Sequence, residues 1–128
     1  KLLKEDVDTY LKRAKMIEDV YFYHKGIAIA HGDLDEFADQ VLIAQAADTL
    51  LAMDEVIASF VLSRKSETSI GISARSLGDI NVQVIMERLG GGGHLTNAAT
   101  QLDDISMEKA EQMLKDAIDE LYEGGTNT

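Results

Sequence analysis

The chain has 128 residues, 45% of them apolar, with no cysteine and a net charge of −11. That length and apolar share support one domain with its own core, while the missing cysteines exclude a disulfide frame and a cysteine-based zinc site. The acidity argues against a long polyanion as partner, since such binding rests on clustered Lys and Arg, and no apolar run approaches a membrane span or a signal-peptide pattern.

Leu3, Val7, Tyr10, Leu11, Ala14 and Ile17 recur at helical spacing, which predicts an amphipathic helix from residue 2 to about 17. The chain opens at Lys1 without methionine, so it is expected to be a fragment of something longer, with 1–18 as a connector helix entering a domain over 19–123. Val20–Tyr23 and Ile27–Ala30 read as strands around a His24-Lys25-Gly26 turn. The aromatics Tyr21, Phe22 and Tyr23 are read as core and sheet surface ahead of a nucleotide-stacking role. Asp33, with Glu36 three residues on, resembles a capping box and predicts a helix running to about Ala52, in which Asp48 is the odd polar residue.

Val56–Leu62 is an apolar run that fits a strand covered on both faces. After a polar turn, Ile70, Ile72 and Ala74 alternate with Ser69, Gly71, Ser73 and Arg75, so one face of that strand is small and polar and ends in a guanidinium. A surface ion pair is the plain reading of Arg75, and a ligand role competes with it. Asp79 is the expected cap of a helix with Ile80, Val84, Ile85 and Leu89 on its buried stripe, and Ala98–Leu102 reads as a last strand. Ser106 should cap a final helix that Gly124-Gly125 stops, leaving 124–128 as a frayed tail. The fold expected is α/β, a mixed and mostly five-stranded sheet with helices packed against it.

Charge is uneven along the chain. Residues 31–62 hold seven acids and no base, whereas 63–102 hold four bases and three acids. Within that non-acidic stretch lies Gly90-Gly91-Gly92-Gly93-His94, four of the ten glycines followed by a histidine. Glycines admit φ > 0 and close approach to bare backbone. Successive N–H groups can form an anion-binding nest, and a histidine beside it adds a donor suited to phosphate. A helix cap would need one glycine rather than four, which favours a ligand loop over a structural turn. No Gly-Lys-Ser/Thr follows, which excludes a Walker loop. His24, His31 and His94 show no metal-ligand spacing, and no Ser-His-Asp arrangement is supported.

Gly91-Gly92-Gly93-His94 with Asn97-Ala98-Ala99, preceded by Ser73-Ala74-Arg75-Ser76, resembles the GGGH…NAA and S-x-R-S elements of the DHH-associated domain, the C-terminal half of DHH-family phosphoesterases. The likeness runs from about Asp19 to Tyr122 and is greatest to membrane-anchored cyclic-di-AMP phosphodiesterases of Gram-positive bacteria. The resemblance implies a division of labour. An upstream DHH domain with two manganese ions would hydrolyse the phosphodiester, and this domain, without catalytic residues or metal, would grip the substrate. Arg75 and Ser73 would bind a phosphate with Ser76 in support. Gly91, Gly92 and Gly93 would offer N–H groups, His94 would hydrogen-bond the phosphate, and Asn97 would contact the nucleotide or hold the loop. Expected partners are a cyclic or short linear dinucleotide and the DHH domain, with a homodimer left open. The expected location is the cytoplasmic side of a membrane-anchored parent. The alternatives are a non-catalytic nucleotide-sensing or dimerisation module, the substrate half of a short-RNA or single-strand DNA nuclease, and the related domain of alanyl-tRNA synthetases. The polynucleotide readings call for a basic groove, which the acidic composition disfavours.

Overall fold

The computed structural model describes residues 4–126. Its ten elements are α1 (Val7–Ile17), β1 (Tyr21–Phe22), β2 (Ile27–His31), α2 (Gln40–Leu51), β3 (Ala58–Arg64), β4 (Ser69–Ser76), α3 (Val82–Arg88), β5 (Gly92–His94), β6 (Asn97–Asp103) and α4 (Met107–Thr126). They form one mixed sheet in the order β1-β2-β3-β4-β6-β5, in which only β2 and β3 are parallel. The sheet has six strands rather than five because the glycine run itself forms β5.

Strand alternation sorts the core into two layers. Ile27, Ile29, Phe60, Leu62, Ile70 and Ile72 face α3 and α4. Ala28, Ala30 and Val61 face α1 and α2. The second face is built of small residues, including Ser59, Gly71 and Ser73, and the alanines of α2 settle close upon it. Ser59 Oγ donates to the Ala47 carbonyl at 2.7 Å, which ties helix backbone to sheet. Each fully buried Ile or Phe of the larger layer contributes about 1.5–3 kcal/mol, and Phe60 with its neighbours is wholly sealed from solvent.

Several boundaries depart from the sequence reading, each for a local reason. Asp6, whose carboxylate accepts from Thr9 N–H at 2.9 Å, caps α1, so the helix starts at Val7; Leu2 and Leu3 lie outside the described residues. The cap of α2 is Asp39, accepting from Leu42 N–H at 2.9 Å. Asp33 instead makes a turn with Asp35 N–H. The chain between them is held beside β3 by Gly32 N–H to Leu62 O and Ala38 N–H to Arg64 O, both 2.8 Å. Asn81, not Asp79, caps α3. Ser106 does cap α4, its Oγ accepting from Lys109 N–H. That helix continues through Gly124 and Gly125 to Thr126, and residues 127–128 lie outside the described part.

Candidate functional site

The four glycines have four separate duties. Gly90 stands at φ +85, and its N–H reaches Glu87 O at 3.1 Å while Gly91 N–H reaches Met86 O at 2.8 Å. This is a Schellman end for α3 with Gly90 in the left-handed position. Gly91 is squeezed, since a Cβ there would lie 2.1 Å from the Ala99 carbonyl oxygen. Gly93 combines φ +147 with a Cβ position 2.4 Å from Asn97 O. Gly92 is different: no heavy atom comes within 4 Å of its Cβ position, and its φ lies outside the left-handed region. A free nest over Gly91–Gly93 is therefore not what forms. The Gly91 N–H is already bonded, and Gly92–His94 is an edge strand pairing with β6.

The turn after β5 is pinned from two sides. Val82 N–H donates to Leu95 O and Ser76 N–H to Thr96 O, each at 3.0 Å. Ser76 is buried; its hydroxyl donates to Ile80 O at 2.7 Å and accepts from Gly78 N–H at 3.1 Å. Ser76 thus joins the S-x-R-S element to the glycine hairpin through backbone rather than by presenting its hydroxyl to solvent.

Arg75 pairs with Asn97 across β4–β6, and Asn97 pairs with His94 across β6–β5. Residues paired this way share a sheet face about 5 Å apart. Arg75, Asn97 and His94 therefore form a row on the face toward α2, running from Arg75 beside that helix to His94 at the sheet edge, with Gly92 on the same side. His94 and Asn97 are exposed. The Arg75 guanidinium is held: Nε donates to Asp48 Oδ1 at 2.8 Å and Nη1 to Ala74 O at 3.0 Å, leaving Nη2 without a hydrogen bond among the described residues. The ion pair expected as the plain reading exists, with the Asp48 side chain 60% exposed and that of Arg75 15%.

Ser73 is not brought to this row's surface. It is 1% exposed, and its Oγ accepts from Gln40 Nε2 at 2.8 Å under the start of α2. Sequence reasoning missed Gln40 altogether, and it saw Asp48 only as a polar residue in an apolar helix pattern.

Tyr21 and Tyr23 lie on the opposite side of the sheet and pack with the α3–α4 core. Tyr21 donates to Glu111, and Tyr23 Oη to Asp119 Oδ2 at 2.8 Å. Burial first, and the carboxylate partner second, push Tyr23 up to about 12 and Tyr21 further in the same direction. Asp119 is lowered, chiefly by its hydrogen bond with His24 and also by the one from Tyr23. These rings stitch β1 to α4 and face away from the Arg75 row. His31 sits apart from the row, with Nδ1 3.2 Å from Gly32 O. Among the described residues no three of His, Cys, Asp and Glu gather as a metal-holding group.

Against known proteins, the DHHA1 domain family matches residues 24–123. The chain is 62% identical to the cyclic-di-AMP phosphodiesterase GdpP of Geobacillus thermodenitrificans over 98% of its length, and 60% identical to GdpP of Bacillus subtilis over 98%. It spans only 19% of the length of each of those relatives. A crystal structure of an exopolyphosphatase-related protein from Bacteroides fragilis superposes with a TM-score of 0.78 at 20% identity, covering 91% of this chain and 36% of that one. That likeness shows a shared fold.

Proposed function

The chain belongs to the DHHA1 domain family, and from that premise we propose that it is the substrate-gripping part of a cyclic-di-AMP phosphodiesterase. The supporting observation is the Arg75–Asn97–His94 row on neighbouring strands, in which Asn97 and His94 are exposed and the Arg75 side chain is partly covered, with Gly92 open beside them. A nucleotide phosphate laid on this row accepts from Arg75 Nη2, from the His94 ring and from the Asn97 amide. Such charge-assisted contacts are worth about 1.5–3 kcal/mol each. The outward row of an edge strand's backbone N–H groups adds uncharged donors. Gly91 acts only by letting the chain pass, and Ser73 and Ser76 act by seating α2 and the hairpin.

These groups bind and orient; none breaks the phosphodiester. Hydrolysis falls to an upstream DHH domain, which supplies the metal chemistry with its two manganese ions, and no step on this chain passes through them. An acidic body with one locally non-acidic face suits a compact dinucleotide better than a long strand. No helix among the described residues is long and apolar enough to cross a membrane. In this proposal the anchor lies elsewhere in a parent whose DHHA1 part faces the cytoplasm, and a homodimer is compatible with it.

Titrating the chain with cyclic-di-AMP, its linear dinucleotide and AMP by NMR tests the reading. The amides of Gly92, Gly93, His94 and Asn97 and the Arg75 side chain should shift first. With part of the cleft absent, a dissociation constant of roughly 0.1–1 mM corresponds to about 4–6 kcal/mol, a few such contacts. Shifts confined to Tyr21–Tyr23, or none at millimolar ligand, would overturn it.

A further inference from the structure

Asp48 stands where its own helix disfavours it. Since α2 ends at Leu51, Asp48 lies in the last turn, where an acid opposes the helix dipole. No base occupies that turn, and residues 31–62, which include all of α2, hold seven acids and no Lys or Arg. Burial does not require the residue, because its side chain is more than half exposed. Ion pairs as open as this contribute little to stability. What Asp48 touches is the permanent cation of the phosphate row, its Oδ1 accepting from Arg75 Nε at 2.8 Å. Arg75 has no other ion pair among the described residues.

This pairing changes what the row can hold. Guanidinium and carboxylate together carry no net charge, and the Asn97 amide and the outward N–H groups of the β5 edge add only uncharged donors. An oxygen accepting from Arg75 Nη2 lies within about 6 Å of the Asp48 carboxylate, since both sit on one planar fork. A phosphodiester brings one negative charge to that place, whereas a phosphomonoester at neutral pH brings about 1.5–2. At that spacing, Coulomb's law sets the carboxylate's penalty at roughly threefold in affinity per added charge in the dielectric of water. The penalty is larger beside a side chain as covered as that of Arg75. The monoester also has more hydration to lose, and a row without net positive charge offsets little of it.

We propose that Asp48 is a charge filter, setting the row to take a phosphodiester in preference to a terminal phosphate. The inference rests on the phosphate row proposed above and adds the class of phosphate that the row accepts. A linear dinucleotide with a terminal phosphate is then held by its internal diester, and a mononucleotide is held poorly.

The test compares 5′-AMP with its phosphate methyl ester, which share a nucleoside and differ in the second phosphate charge. Each is titrated at about pH 7.5 into wild type, Asp48→Asn and Asp48→Glu, and the amides of His94 and Asn97 are followed by NMR. Asparagine keeps an oxygen for Arg75 Nε and removes the charge; glutamate keeps the charge. Wild type should bind the methyl ester at least as tightly as AMP. In Asp48→Asn the ratio of AMP affinity to ester affinity should rise at least about threefold, and in Asp48→Glu it should stay near the wild-type value. A residue that merely held Arg75 in place would change both affinities alike, so an unchanged ratio in Asp48→Asn overturns the proposal. A wild type that prefers AMP overturns it too, as does a Glu variant whose ratio moves as far as that of Asn. If neither ligand moves His94 or Asn97 in wild type at millimolar concentration, the phosphate row itself falls and the filter with it. That result is distinct from binding with an unchanged ratio, which leaves the row standing.

Discussion

Replacing Gly92 by valine separates a glycine kept for a ligand from glycines kept for the fold. At Gly92 the backbone is not left-handed and the Cβ position is empty to 4 Å. Glycine within a strand is about 0.5–1 kcal/mol less favourable than a residue with a Cβ, and valine suits an edge strand. Gly92→Val should therefore melt at or slightly above the wild-type temperature. At Gly93 the same change meets φ +147 and a contact 2.4 Å from Asn97 O, and at Gly91 one 2.1 Å from Ala99 O. Overpacking costs about 1–3 kcal/mol, to which a strained positive φ adds about 1–2 kcal/mol at Gly93. At roughly 3–5 °C per kcal/mol for a domain of this size, Gly93→Val should melt about 10 °C lower, and Gly91→Val lower by a similar or smaller margin. Binding should run the other way for Gly92→Val. Its methyls occupy the face that carries His94, Asn97 and Arg75, and loss of about 1.5–3 kcal/mol lowers affinity ten- to a hundredfold. Calorimetric melts and the NMR titration, run on all three variants, decide the matter. A Gly92→Val protein that is stable and binds as wild type would refute the placement of phosphate over β5. One that melts with Gly93→Val would refute the openness of that position.

In a full-length phosphodiesterase of the proposed kind His94→Ala and Arg75→Ala should each raise KM with a smaller fall in kcat, lowering kcat/KM about ten- to a hundredfold, and Arg75→Lys should restore only part because a point charge cannot replace the fork; steady-state kinetics check both. Ser73→Ala should leave KM unchanged and lower stability by about 1 kcal/mol in denaturant melts through the lost Gln40 bond. The chain alone, given cyclic-di-AMP and excess manganese, should show no hydrolysis that survives repurification. Tyr23 has a folded pKa of about 12, above the ordinary phenol value of about 10. Its contribution is present below pH 10 and is lost as pH climbs toward 12, so Tyr23→Phe should reduce the alkaline slope of melting temperature. Asp119, lowered in the fold, contributes above its unfolded pKa of about 3.9 and loses that contribution as pH falls through its depressed value. Asp119→Asn should flatten the acid slope.

The periodic elements were legible because periodicity reports burial. Ile70, Ile72 and Ala74 alternate as read, and α3 ends at the glycine run as its pattern indicated, with Gly90 in the left-handed position. The start of α2 was not legible. Asp33 and Asp39 are equally good caps, and the choice was made by backbone bonds from Gly32 and Ala38 to β3, distant in sequence. The sixth strand was hidden for a related reason: glycine has little strand preference, and Gly92–His94 is a strand only because β6 offers a ladder. At the site, Arg75 and His94 stood out in the sequence and Asn97 through the family resemblance, whereas their alignment in one row follows from the strand register. That Ser73 sits under Gln40, and that Asp48 orients Arg75, depends on where α2 crosses the sheet. No local pattern encodes that crossing.

The ties around the glycine hairpin carry a kinetic consequence. Val82, at the start of α3, bonds the Leu95 carbonyl, and Gly91 closes the far end of the same helix; Thr100 Oγ1 adds a bond to Leu89 O at 2.9 Å. Helix and hairpin are thus splinted along their length, and one cannot open without the other. If phosphate binds at His94 as proposed, it meets a surface already in shape, and little ordering entropy opposes it. Stopped-flow binding should be a single fast phase whose rate grows linearly with nucleotide, with no plateau from a closing segment. Amide exchange at Gly93 and His94 should keep pace with that of Ile85 and Met86, the hairpin opening only when the helix lets go.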